Sequence, residues 1–147
     1  MSLVDTITDD MKTAMKARDK ETLSVIRMLK AALMNEKVKV NHELSDEEAQ
    51  AVIGREYKQR KESVEEFAKG NRDDLVQSTE AEIKIVEKYL PKQLSKDEIE
   101  KIVADTISAV GATSSSDFGK VMGAVMPKVK GIADGKLVNQ AVKSQLS

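Results

Sequence analysis

Cysteine and tryptophan are absent, histidine occurs once and proline twice in a chain of 147 residues. Without thiols there can be no disulfide, no thiolate zinc site and no cysteine nucleophile. The single imidazole, His42, leaves no His-rich metal set and removes most Ser-His arrangements. Aromatic residues make up 3 % of the chain and charged residues 33 %, a profile of helix formers rather than strand formers, which predicts an all-α fold. No apolar run approaches membrane-spanning length, and the opening MSLVDTITDD places acids where a secretion signal needs positive charge. The expectation from these absences is a soluble cytoplasmic protein with no membrane attachment.

What is present is charge, unevenly spread. The net charge is −1, yet residues 43 to 66 hold eight acids against four bases, and residues 118 to 147 hold five lysines against Asp134 alone. A nucleic-acid partner, which needs clustered cations, is therefore sought at the C-terminal end.

Apolar periodicity organises the chain into helices. Leu3, Ile7, Met11 and Met15 mark a first helix that "ARD" at 17 to 19 interrupts, and Val25, Ile26, Leu29, Ala32 and Leu33 mark a second ending near residue 38. "SDEE" at 45 to 48 has the Ser-x-x-Glu form of a capping box. It opens a long helix with Val52, Ile53, Tyr57, Arg60, Val64 and Phe67 inward, closed by Gly70 as the left-handed residue. Arg60 on that apolar face implies a solvent-seeking guanidinium or a pair with Glu80 or Glu82. A fourth helix, from about Asp73 to Tyr89 with Leu75, Val76, Ile83, Val86 and Leu90 inward, completes an antiparallel hairpin and stops at Pro91.

"YLPKQLS" reads as a boundary, followed at once by a second capping box from Ser95 to Glu98. Three further helices follow. The first buries Ile99, Ile102, Val103, Ile107 and Val110 and ends at Gly111. The second, capped by Ser116 or Asp117, buries Phe118, Val121, Met122, Val125 and Met126, and Pro127 kinks or shortens it. The third runs from about Gly135 to Gln145. The expected architecture is two helical lobes: an N-terminal bundle of about four helices with a long hairpin (1–92), and a C-terminal three-helix lobe (95–147).

"MPKVKGIADGKLVNQAVK", residues 126 to 143, invites three chemical readings. Asp134 as a general base or metal ligand lacks convergent ligands in sequence, and a helix N-cap accounts for it. A phosphate cradle fails because neither "GIADGK" nor "GKVMGAV" has the spacing of a nucleotide-binding loop. Gly131 then closes a helix, Gly135 belongs to the turn, and Gly119 and Gly123 admit a neighbouring helix backbone. The third reading is electrostatic. Lys136, Asn139, Gln140 and Lys143 share one helical face, with Lys128 and Lys130 just upstream and Lys120 in the preceding helix. Lysines neutralise phosphates while Asn and Gln hydrogen-bond to ribose or base edges, which suits a structured RNA. The scarcity of aromatics excludes a stacking platform for single strands.

Two stretches, residues 58 to 95 and 117 to 146, resemble the YqeY family of small bacterial proteins. The resemblance is carried by the Tyr-Leu-Pro-x-Gln-Leu-Ser run and by the Gly-Lys-Val-Met, Ala-Asp-Gly-Lys and Val-Lys-x-x-Leu runs. That family is similar in turn to the C-terminal tail of the B subunit of the tRNA-dependent amidotransferase. The resemblance implies a tail that contacts tRNA while phosphorylation and amide transfer from glutamine occur in a separate catalytic cradle. Its matches here are Gly119, Lys120, Met122, Gly123, Gly131, Ala133, Asp134, Gly135, Lys136, Val138 and Lys143. Ile132 departs from the pattern, standing where relatives often carry Arg.

The expectation is a tRNA-binding helical protein, or one that joins a tRNA-handling complex, with no catalytic residues, metal or cofactor of its own. Its contacts would be Lys120, Lys128, Lys130, Lys136, Asn139, Gln140 and Lys143. The rival readings are a protein-interaction adaptor using the acidic hairpin of residues 45 to 90, and an accessory factor in glutamine-dependent carbon-nitrogen ligation.

Overall fold

Helix termini in this chain are fixed by local chemistry. The structure, a computed structural model, describes residues 1–146. Among them are seven α-helices and no strand: α1 (Leu3–Ala17), α2 (Lys20–Val40), α3 (Asp46–Lys69), α4 (Asp73–Glu87), α5 (Lys96–Val110), α6 (Phe118–Val129) and α7 (Gly135–Leu146). A 3-10 turn, Ser115–Asp117, leads into α6. The chain divides into two compact units, Met1–Pro91 and Lys92–Ser147.

Both expected capping boxes form. Ser45 Oγ accepts from Glu48 N at 3.1 Å while Ser45 N donates to Glu48 Oε1 at 3.0 Å, and Ser95 and Glu98 repeat the exchange at 3.2 and 3.3 Å. A third box, between Ser2 and Asp5, starts α1. The Ser45 and Ser95 backbone N–H groups hold the Glu48 and Glu98 carboxyls below their ordinary values. A depressed pKa contributes stability above the unfolded-state value, near 4.5 here, and loses it as pH falls through the folded value. Thermal melting is therefore expected to drop on acidification below that point. Ser95→Ala is expected to cost about 1 kcal/mol at neutral pH, and Glu98→Gln to flatten part of the acid slope; an unchanged acid profile in Glu98→Gln would refute the assignment.

The first unit is built on Ile7, Val25, Ile26, Leu29, Leu33, Ala49, Val52, Ile53, Ile85, Val86 and Tyr89, one buried cluster from α1, α2, α3 and the end of α4. Tyr89 donates to Asp10 Oδ2 at 2.6 Å, tying the end of the hairpin to α1, and burial together with that carboxylate pushes the phenol upward. α3 and α4 pack along each other as the expected hairpin. Beyond Arg60 no residue of α3 is fully buried, so Val64 and Phe67 are half-covered rather than core.

Four local expectations are corrected. Gly70 has φ −87°, and the left-handed residue is Asn71 at φ 57°; Asn tolerates that region, so the turn closes one residue later. Asp117 makes no side-chain cap on α6; its Oδ2 accepts from Thr113 N at 2.9 Å and closes the preceding loop, and this bond lowers its carboxyl pKa. α6 also runs on through Pro127 to Val129. Its buried stripe is Val121, Val125 and Val129, whereas Met126 is exposed.

Candidate nucleic-acid interface

The second unit closes over Ile99, Val103, Val121, Val125, Val129, Val138, Ala141, Val142 and Leu146. These residues give α5, α6 and α7 one shared interior and turn their polar sides outward. All five lysines of residues 118 to 146 are exposed.

The turn between α6 and α7 is held at several points. Gly131 takes φ +80°, where any side chain would be strained. Ile132 N and Ala133 N both donate to Val129 O, at 3.0 and 3.1 Å. Asp134 Oδ1 accepts from Lys136 N at 2.9 Å, and the Asp134 carbonyl accepts from Val138 N at 3.1 Å. The aspartate is thereby committed to starting α7. Gly135 is the first residue of α7, with open space where a Cβ would stand.

Two residues outside the sequence-based set complete the turn. Gln93 Nε2 donates to Gly131 O at 3.2 Å, and Leu94 N donates to Ile132 O at 2.7 Å. Leu94 and Ile132 also pack against the same core. The two runs that carry the family resemblance are thus joined in space: "KQL" braces "GIAD". Nothing in the periodicity signals this, because both partners lie in non-helical segments. Ile132, where relatives often carry Arg, spends its side chain on packing.

The candidate contact residues fall on different flanks. Lys128 Nζ donates to Thr106 Oγ1 at 3.1 Å, and Thr106 in turn donates to Ile102 O at 2.8 Å, so Lys128 lies on the α5 side of α6. Lys143 Nζ stands 5.8 Å from the Phe118 ring centroid, a cation–π contact that places it on the α6 side of α7. Lys136 and Asn139 lie three and four residues apart on the same strip as Lys143. Gln140 borders them, exposed. Lys130 is exposed and caps the C-terminal end of α6, where a cation complements the helix dipole. Lys120 is exposed in the first turn of α6, near the Asp117 carboxylate whose charge it favours.

Gly119 and Gly123 were expected to admit another helix. Both are exposed, and a Cβ added to either would meet nothing within 4 Å. Among the described residues no other segment of the second unit packs closely on them.

Among the described residues no group of three or more His, Asp or Glu is placed to hold a metal ion, and no helix is long and apolar enough to cross a membrane. The chain is similar to fungal proteins named "Altered inheritance of mitochondria protein 41, mitochondrial". That from Pyrenophora tritici-repentis is 28 % identical over 137 residues, covering 91 % of this chain and 75 % of the relative. The Saccharomyces cerevisiae protein is 27 % identical over 128 residues, 83 % of this chain and 69 % of the relative. A shorter match, 39 % over 82 residues, covers 55 % of this chain and 44 % of the Lachancea thermotolerans protein. These names overturn the cytoplasmic expectation. That expectation rested on the lack of a secretion-signal pattern and of a membrane-spanning run, neither of which decides between the cytoplasm and a mitochondrion. A family model described as Yqey-like protein matches residues 4–146, nearly the entire chain, and the chain belongs to that family.

Proposed function

We propose that this protein binds tRNA, or tRNA within a tRNA-handling complex, through the lysine-bearing surface of α6 and α7. One observation carries the reading: all five lysines of residues 118 to 146 reach solvent, while the sole acid of that stretch, Asp134, is engaged by backbone N–H at the start of α7. Cations dominate the charge of that stretch, and phosphate is the ligand that clustered cations favour. Lys136, Asn139 and Lys143 supply one strip with both phosphate-neutralising and hydrogen-bonding groups. With few aromatic rings to stack on, the RNA is recognised by shape and backbone rather than as an unpaired strand. The resemblance to an amidotransferase tail supplies the substrate class, and it makes the role that of positioning the RNA for chemistry performed elsewhere.

The test is titration of labelled tRNA with the full chain at several salt concentrations, using bulk tRNA and mitochondrial tRNA side by side. Four phosphate contacts predict an affinity loss of roughly 50- to 150-fold between 50 and 200 mM salt. Absence of binding at 50 mM salt, or an affinity indifferent to salt, would overturn the proposal.

A further inference from the structure

The outer face of α2 is exposed in the first unit and combines apolar with cationic side chains. The core side of α2 is Val25, Ile26, Leu29 and Leu33, all buried. On the opposite side Lys20, Ser24, Arg27, Ala31, Met34 and Val38 follow one another at alternating spacings of four and three residues. That alternation draws a straight strip along the helix, and it is the spacing by which one helix seats another. All six residues are exposed, Met34 to 57 % and Val38 to 72 %.

The N-terminal half of the strip is grooved between its own side chains. Lys20, Leu23, Ser24, Arg27, Met28 and Ala31 line a shallow depression of about 390 Å³. Met28 is 42 % exposed although its sulfur lies 3.8 Å from Arg60 Nη2, so its apolar remainder faces outward. The two charges lining the depression are both positive, Lys20 and Arg27, and among the described residues no carboxylate pairs with either. The two acids of α2 lie elsewhere: Glu21 opens the first turn, and Glu36 pairs with Arg55 of α3 at 3.1 Å.

From this arrangement we propose that the α2 outer face docks an acidic amphipathic helix of a protein partner. The apolar knobs of such a helix would occupy the depression and cover Ala31, Met34 and Val38, and its flanking carboxylates would meet Lys20 and Arg27. Charge complementarity selects the anionic partner. Two features select a helix over other anions. An RNA gains nothing from exposed Met34 and Val38, and the alternating four-and-three spacing makes a narrow seam for one helix rather than the broad apolar face that a bilayer surface takes up. This face belongs to the first unit and is independent of the lysines of α6 and α7.

The probe is a fluorescein-labelled synthetic helix carrying Leu at its core heptad positions and Glu at the flanking ones, beside a twin with Lys replacing Glu. Fluorescence anisotropy with the full chain is expected to show micromolar binding of the Glu peptide and at least tenfold weaker binding of the Lys twin. Arg27→Glu with Met34→Glu, both on exposed positions, is expected to weaken the Glu peptide at least tenfold while circular dichroism and tRNA affinity stay unchanged. No binding of the Glu peptide at 100 µM, equal binding of the two peptides, or indifference to the double substitution would each overturn the proposal. So would loss of phosphatidylglycerol-vesicle binding, tRNA binding or self-association in the double variant with peptide affinity intact, since each would reassign the face.

Discussion

Changing Lys128, Lys130, Lys136 and Lys143 together to glutamate is expected to weaken tRNA binding by about a hundredfold or more at 50 mM salt, to the point where retardation disappears. The magnitude follows from replacing four exposed cations by four anions in a stretch, residues 118 to 146, that holds five lysines against Asp134 alone. The geometry then divides the effect. Lys136 and Lys143 share the α6-facing strip of α7, so Lys136→Glu with Lys143→Glu should lower the salt slope by nearly two phosphate contacts. Lys128 stands on the other flank, bonded to Thr106. Lys128→Met removes that charge without adding an opposite one, and its effect tells whether the RNA spans both flanks or rests on one. Equal binding of the wild type and the quadruple variant would remove α6 and α7 as the contact surface and leave the lysines as ordinary solvated residues.

Helix existence and the capping boxes followed from sequence because their causes are local: a serine, a glutamate three residues on and an apolar stripe suffice. Contacts between segments did not. That Gln93 and Leu94 brace Gly131 and Ile132 depends on a chain reversal spanning two helices, α5 and α6. The small size of Gly119 and Gly123 suggested close helix packing, but which side of α6 meets a neighbour is decided by Val121, Val125 and Val129, and the glycines fall on the open side. The same limit applies to α2. Its core stripe is plain in the sequence, whereas the outward strip from Lys20 to Val38 gains meaning only when its six residues are seen to be exposed. In the C-terminal unit the lysines were identified from charge and helical projection, but their separation onto two flanks is seen only in contacts across helices, with Thr106 of α5 and Phe118 of α6.

The largest stability effect is expected at Arg60. Sequence placed a cation on the inner face of α3 and left its partner open between Glu80 and Glu82; the structure supplies Glu82, whose Oε1 lies 3.5 Å from Arg60 Nε, and adds Glu56, whose Oε2 accepts from Nη1 at 3.0 Å. The Arg60 side chain is 11 % exposed, and its Nε is buried without a hydrogen bond despite the nearby carboxylate. One guanidinium thus serves two half-covered carboxylates and links α3 to α4. Arg60→Ala removes the cation and strands both acids, at an expected cost of about 3 kcal/mol, the lower end for a broken buried pair because Glu56 and Glu82 remain 22 % and 26 % exposed. Arg60→Met combined with Glu56→Gln and Glu82→Gln is expected to recover most of that loss, since an apolar stem with neutral partners has no charge left to desolvate. Both tyrosines, Tyr57 and Tyr89, lie in the first unit and the chain has no tryptophan. Tyrosine fluorescence during urea unfolding therefore reports on that unit alone. A loss below 1 kcal/mol in Arg60→Ala would show that the guanidinium is solvated well enough to contribute little, and that the hairpin is held by its apolar contacts.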